Sequence, residues 1–201
     1  MPATSSTHAM SSATQFPPQA GTLTADVAVT HSAAGGPSRR WYAIWTRSRH
    51  EKKVTSLLHE RGWEAFLPLT PEVHWWSDRR KIVDVPLFPG YTFLHAALTP
   101  QIRAAIACSP GVVSMIGWNG VPLPIPERQI ESVRTLLARR ICLRPYQFLP
   151  AGTRVRIRGG SLEGIEGVFV GGGSERNLVV SVELIQRSVV MRLDGYDVVR
   201  L

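Results

Sequence analysis

The chain has 201 residues and is 44% apolar, which suits one medium domain or two small ones with a proper core. No apolar run approaches the roughly 18 residues that span a bilayer, so no membrane association is expected. The net charge of +8 divides as +1 over residues 1–40, +5 over 41–140 and +2 over 141–201, a basic balance that favours phosphate-bearing partners.

Residues 1–39 are dominated by Ser, Thr, Ala, Gly and Pro and close on Gly35, Gly36, Pro37 and Ser38. Apolar periodicity is absent, so a disordered tail is expected. The start lacks the basic and apolar regions of a secretory signal, and a cytoplasmic location is expected. Order begins at residue 40, where Trp41, Tyr42, Ala43, Ile44 and Trp45 read as a strand. Ser48 and Glu51 have the spacing of a capping box. Val54, Leu57 and Leu58 then share a helical face that stops near Gly62. Residues 63–67 read as a second strand. Residues 73–76 and 82–85 flank the polar turn 77–81 and predict a β-hairpin. Residues 91–94 read as a further strand, and Thr99 and Pro100 open a short helix that carries Ile102 and Ile106 inward. Residues 112–116 read as a last strand, and Ile130, Val133 and Leu137 mark a helix over 126–140.

This order predicts an α+β fold for residues 40–140, a mixed sheet with helices packed on it. Residues 141–150, with Pro145 and Pro150, read as a linker. Beyond it, Val155 and Ile157 alternate with Arg154, Arg156 and Arg158, and short apolar runs follow between glycine turns. Residues 151–201 therefore predict a small β-barrel.

Three constellations stand out. Pro86 and Pro89 stiffen a segment that Gly90 releases into a strand with Tyr91 and Phe93 on one face. The two rings are either interface anchors or plain core. Arg47, Arg49, Lys52 and Lys53 surround the first helix start, while Arg79, Arg80 and Lys81 sit at the hairpin tip beside Trp75 and Trp76. Cations next to aromatics suit a phosphate backbone plus base stacking; the plainer reading is a solvated face. Lastly, regularly spaced glycines at 159, 160, 164 and 167 bend two strands of the second domain into a tight arch.

Catalytic signals are weak. The two cysteines, Cys108 and Cys142, have no CxxC spacing and no His at ligand spacing, so they read as small buried hydrophobes. Nothing fixes His95 to Cys108 as a base to a nucleophile, and Glu64, Glu72 and Asp84 have no paired partner. The glycines at 171–173 lack the helix and lysine of a phosphate loop. No enzyme, cofactor or metal is expected.

Trp41-Tyr42, then Leu87-Phe88-Pro89-Gly90-Tyr91, then Pro110-Gly111-Val112 resemble the N-terminal domain of the NusG family, and residues 155–168 resemble the KOW motif of its C-terminal barrel. The resemblance covers about residues 40–201. It implies a transcription elongation or antitermination factor that acts without chemistry, as a monomer. Trp45, Phe88, Tyr91, Phe93 and Met115 would dock on the clamp helices of the largest RNA polymerase subunits, with Arg103 towards the opposite jaw. Arg47, Arg49, Lys52, Lys53, Trp75, Trp76, Arg79, Arg80 and Lys81 would face upstream or non-template DNA. Leu184, Ile185 and Gln186 would form an exposed barrel tip that binds a ribosomal protein or a termination factor. The stretches 47–52 and 76–79, the short connection at 61–64 and the non-aromatic Ile185 resemble the specialised RfaH/UpxY kind, which implies service to a subset of operons. A general housekeeping factor of the same family is the alternative, as is a ribosome-associated KOW protein that binds RNA, which the +2 of residues 141–201 disfavours. The β-branched, glycine-punctuated run over 155–193 favours strands, not the helical C-terminal domain of some RfaH-type proteins.

Overall fold

The computed structural model describes residues 38–75, 80–149, 151–172 and 175–201. The expected tail lies outside them except for its last two residues. The first strand, β1, spans Arg40–Thr46 and is buried on both faces. Helix α1 (Glu51–Glu60) buries Glu51, Val54, Thr55 and Leu58, the i, i+3, i+4, i+7 stripe of an amphipathic helix. The expected capping box does not form: Arg49 takes a φ of 62°, which delays the helix, and His50 becomes the N-cap without a side-chain cap bond. Gly62, at φ 76°, ends the helix as expected, in the left-handed region that glycine tolerates.

The chain continues through β2 (Glu64–Phe66), the hairpin strands β3 (Leu69–Trp75) and β4 (Arg80–Pro86), and β5 (Tyr91–Ala96). Helix α2 (Pro100–Ala107) is capped by Thr99, whose hydroxyl accepts from the Ile102 amide, with Pro100 at the first position. Then come β6 (Val112–Met115), β7 (Gly117–Trp118), β8 (Val121–Pro122), β9 (Pro124–Ile125) and helix α3 (Glu127–Ala138).

The main sheet runs β2-β5-β1-β6, with β9 also on β1, and each adjacent pair is antiparallel. The helix-linked strands β1 and β2, and likewise β5 and β6, do run parallel, but another strand separates each pair. This is the split β-α-β arrangement, so the mixed character lies in the connections and not in the hydrogen bonding. Both crossovers put their helices on the same face. There Val54, Leu58 and Ile106 pack on Ile44, Leu94 and Ala65. The opposite face carries Trp41, Ala43, Phe93 and Tyr91 and is covered by Ile130, Val133 and Leu136 of α3. Full burial of a side chain of this size contributes about 1.5–3 kcal/mol.

The second region comprises β10 (Arg144–Tyr146), β11 (Thr153–Arg158), β12 (Glu166–Gly172), β13 (Glu175–Val182), β14 (Arg187–Arg192) and β15 (Asp197–Arg200). They form one antiparallel sheet in the order β10-β14-β13-β12-β11-β15. Its end strands do not pair with one another among the described residues, so the expected barrel is an open, curled sheet. Gly167 permits the curl: a Cβ there would lie 2.5 Å from the Val179 carbonyl oxygen. Residues 144–146 of the expected linker are a strand, because β14 offers them an unpaired edge and Pro145 is tolerated at a sheet margin. Cys108 and Cys142 are exposed, contrary to expectation. Cys108 caps the outer end of α2, and Cys142 lies in the connection leaving α3. No helix among the described residues is long and apolar enough to cross a membrane.

Candidate functional site

The aromatic segment is built around a buried carboxylate. Glu51, at the start of α1, accepts the Gly90 amide at 2.8 Å, and the Gly90 carbonyl accepts the Thr46 amide at 2.8 Å. These bonds pin residues 86–90 to β1 and α1. Strand β5 then sends Tyr91 and Phe93 to the α3 face, where Trp45 lies on the neighbouring strand. Phe88 meets Phe93 edge-on at 6.1 Å, and Phe66 lies 6.3 Å from Phe93. Phe88 and Phe93 are fully buried, so they are core, while Trp45 is half-buried. Met115 is not part of this set. It pairs with Ile44 and packs on the face covered by α1 and α2. Arg103 is exposed on α2 and donates to the Gly120 carbonyl.

The aromatic face is covered by the second region. A 3-10 turn over Glu183–Ile185 tucks Ile185 into the same apolar cluster as Tyr91, Phe93 and Ile130. Ile185 is 6% exposed, so the expected apolar tip is absent: the turn folds its side chain inward, Leu184 is half-buried, and of the three expected tip residues Gln186, at φ 49°, is the exposed one. Gln129 of α3 accepts the Glu183 amide at 3.1 Å, and Arg128 lies 3.6 Å from Glu166 on β12. Burial raises the Tyr91 hydroxyl above the usual tyrosine pKa, and nearby Arg187 of β14 partly opposes that.

The β3–β4 hairpin projects as a two-stranded ribbon. Pairing puts Val73, Ile82, Trp75 and Arg80 on one face, and Glu72, Val83, His74 and Lys81 on the other. Trp75 is 79% exposed and Ile82 64%. The Arg80 guanidinium lies 5.9 Å from the Trp75 ring. Lys52 donates to the Asp84 carbonyl at 2.7 Å, which ties the ribbon to α1, so this lysine braces the hairpin. Arg47, Arg49 and Lys53 are exposed near the helix start. Trp76 and Arg79 lie outside the described residues.

One cluster was not legible in the sequence. Glu64 accepts from the His95 ring at 2.7 Å and from Arg134 at 3.3 Å. His95 stacks on Trp41 at 4.8 Å, and Arg134 lies 5.1 Å from the Trp41 ring. Bonding to His95 lowers the Glu64 carboxyl below the usual glutamate range. Glu64 thus has the partners that its sequence context did not reveal. Register brings His95 opposite Glu64, while Arg134 arrives from α3, 70 residues away, with no local signal. No group of three or more His, Cys, Asp or Glu among the described residues is arranged to hold a metal.

A family model described as "Transcription termination factor nusG" matches residues 39–134. The transcription termination/antitermination protein NusG of Borreliella burgdorferi is 28% identical over 177 residues, covering 78% of this chain and 96% of that one. The protein of the same name from Neisseria meningitidis is 26% identical over 176 residues, covering 82% and 99%. A solved structure described as "Domain interaction in Thermotoga maritima NusG" aligns with a TM-score of 0.51 at 19% identity, over 81% of this chain and 98% of that one, a likeness of fold.

Proposed function

From a NusG-family domain at residues 39–134, and NusG relatives along about four fifths of the chain, we propose a transcription elongation and antitermination factor that binds the clamp helices of RNA polymerase. The observation that carries this reading is the aromatic face of β1 and β5, a rigid sheet surface with half-buried Trp45 and with Tyr91 buried beside it. Docking there holds the clamp closed and disfavours paused conformations, a shift of populations with no chemical step. Phe88, Phe93 and the brace between Glu51 and Gly90 hold the two anchor rings in place. Arg103 faces the opposite jaw. The ribbon of β3 and β4, with exposed Trp75 stacked by Arg80 and with Lys81 on its reverse face, contacts upstream or non-template DNA. The C-terminal sheet is a KOW domain that recruits a second protein through Leu184, Ile185 and Gln186 once that turn leaves α3.

The test is binding of the intact chain to RNA polymerase. Replacing Trp45 and Tyr91 by Ala should weaken it by several hundred-fold, since interface anchors contribute on the order of 2 kcal/mol each. Unchanged affinity in a folded double variant would move docking elsewhere.

The factor serves few transcription units. The tip chemistry supports this: an exposed tryptophan paired with a cation reads unstacked bases, beyond the simple affinity for polymerase that a general factor needs. Transcript mapping with and without the gene should find changes confined to a few long operons, and genome-wide changes in pausing would identify a general factor.

A further inference from the structure

The β3–β4 ribbon carries more on one face than a DNA contact uses. Side chains alternate along each strand, and directly opposed residues share a face. The register therefore sets three pairs on that face, from base to tip: Pro71 with Asp84, Val73 with Ile82, and Trp75 with Arg80. All of these residues are exposed. Val73, Ile82 and Trp75 are large apolar side chains open to solvent, a concentration that marks an interaction site. The Asp84 carboxylate opposes phosphate. A DNA contact thus accounts for Trp75 and Arg80 at the tip and leaves the base-side half of the face without a role.

The two charges on this face are not used inside the chain. Lys52 bonds the main-chain carbonyl of Asp84, not its carboxylate, and Arg80 lies 5.9 Å from the Trp75 ring. None of the ion pairs among the described residues includes Asp84 or Arg80. The order of the pairs is self-complementary. Val73 and Ile82 lie at the centre, and the other two pairs flank them at equal steps of about 7 Å along the strands. A second ribbon laid face to face and end for end, about a two-fold axis through the central pair, sets β3 on β3 and β4 on β4. Trp75 of each copy then meets Pro71 of the other, and Arg80 meets Asp84. Each pairing is repeated by the symmetry, as in a closed isologous interface. A tip-to-tip arrangement gathers both arginines at one end and both aspartates at the other, so the charges favour the end-for-end one.

We infer that this face pairs reversibly, end for end, with the same face of a second copy of the chain. Arg80 and Asp84 form symmetric ion pairs on either side of an apolar centre of Val73 and Ile82. A face this short lies below the roughly 1,000 Å² of a stable interface, so the association is weak. A Kd of about 0.1–1 mM is expected, and the dilute chain is a monomer. Self-pairing covers Trp75, so it and the proposed DNA contact exclude each other. Only that consequence rests on the DNA reading.

The experiment is NMR of the isotope-labelled full chain over a rising concentration series at low salt, with sedimentation velocity on the same samples. Concentration-dependent shifts of the Trp75 indole and Ile82 methyl signals are expected, together with a rising mean sedimentation coefficient. Arg80→Asp and Asp84→Arg should each weaken association about ten-fold, and the double variant that exchanges the two charges should restore it. The single substitutions move the net charge of +8 in opposite directions, so a general charge effect would strengthen association in Arg80→Asp and weaken it in Asp84→Arg. Both positions are exposed, and unchanged signals from the Ile44 and Leu94 methyls check that each variant is folded. Absence of concentration dependence at Trp75 and Ile82, opposite effects of the two single substitutions, or no recovery in the exchanged variant would overturn the assignment. Neither DNA nor polymerase is present, so the outcome is independent of the tests of those contacts.

Discussion

Arg134 and Glu64 illustrate how single side chains acquire roles only through packing. The Arg134 guanidinium faces the rings of Trp41 and Phe66 at 5.1 and 5.3 Å while it pairs with Glu64 and Glu131. The pairing fixes α3 on the sheet, next to the aromatic face. Hydrogen bonding to His95 lowers the folded-state pKa of Glu64. A lowered folded pKa means that the ionised carboxylate stabilises the fold above the unfolded pKa, and that this contribution is lost as pH falls through the folded value. Glu64→Gln should therefore cost about 0.5 kcal/mol at pH 7, a modest figure suited to a part-exposed pair. In urea melts its difference from the parent should shrink below about pH 4 and vanish in stronger acid. A constant difference across that range would mean that the carboxylate gains nothing from His95 and Arg134.

At the scale of elements, the hairpin and the first helix act as one basic unit. Lys52 joins them through the Asp84 carbonyl, so the exposed cations of 47–53 and those of the ribbon are held in fixed relation. A two-stranded ribbon is marginal by itself, and such an anchor is what keeps it extended. Its two faces divide the work of the proposed DNA contact: Trp75 with Arg80 for bases, Lys81 for phosphate. Replacing Arg80 and Lys81 by Gln should lower the salt slope of binding to an elongation complex by about one unit for each phosphate that is no longer neutralised. Equal slopes in the parent and the variant would leave these residues as a solvated strand end.

For the whole molecule, the decisive feature is that the C-terminal sheet sits over the aromatic face. If that face docks on polymerase, the sheet has to move first, and the free energy of its contact is subtracted from the binding free energy. The polar part of the contact is small: Gln129 to the Glu183 amide, and Arg128 to Glu166. The double variant Arg128→Glu, Gln129→Ala removes one bond and turns one attraction into repulsion, about 1 kcal/mol in all. Polymerase affinity should rise about five-fold, with the stability of each sheet unchanged. Unaltered affinity would show that the cover does not limit access.

Local chemistry was enough to determine the longer elements, but not the short strands β7 to β10. The apolar runs of β1 and β5, the Thr99-Pro100 start of α2, the Gly62 stop and the glycine-punctuated strands of the second region follow from near neighbours, because backbone preference acts over a few residues. The motif at residues 87–91 was likewise readable, since proline and glycine impose their conformations wherever they occur. Tertiary structure alone decided which side of each element meets another. Ile185 turns inward because α3 offers it an apolar surface, Met115 parts from Tyr91 because the sheet has two faces, and Arg134 finds Glu64 across 70 residues. Ser48 loses the cap because Arg49 takes a left-handed backbone that the capping pattern does not reveal. Burial and partner choice depend on atoms distant in the chain, and a linear pattern carries no record of those distances.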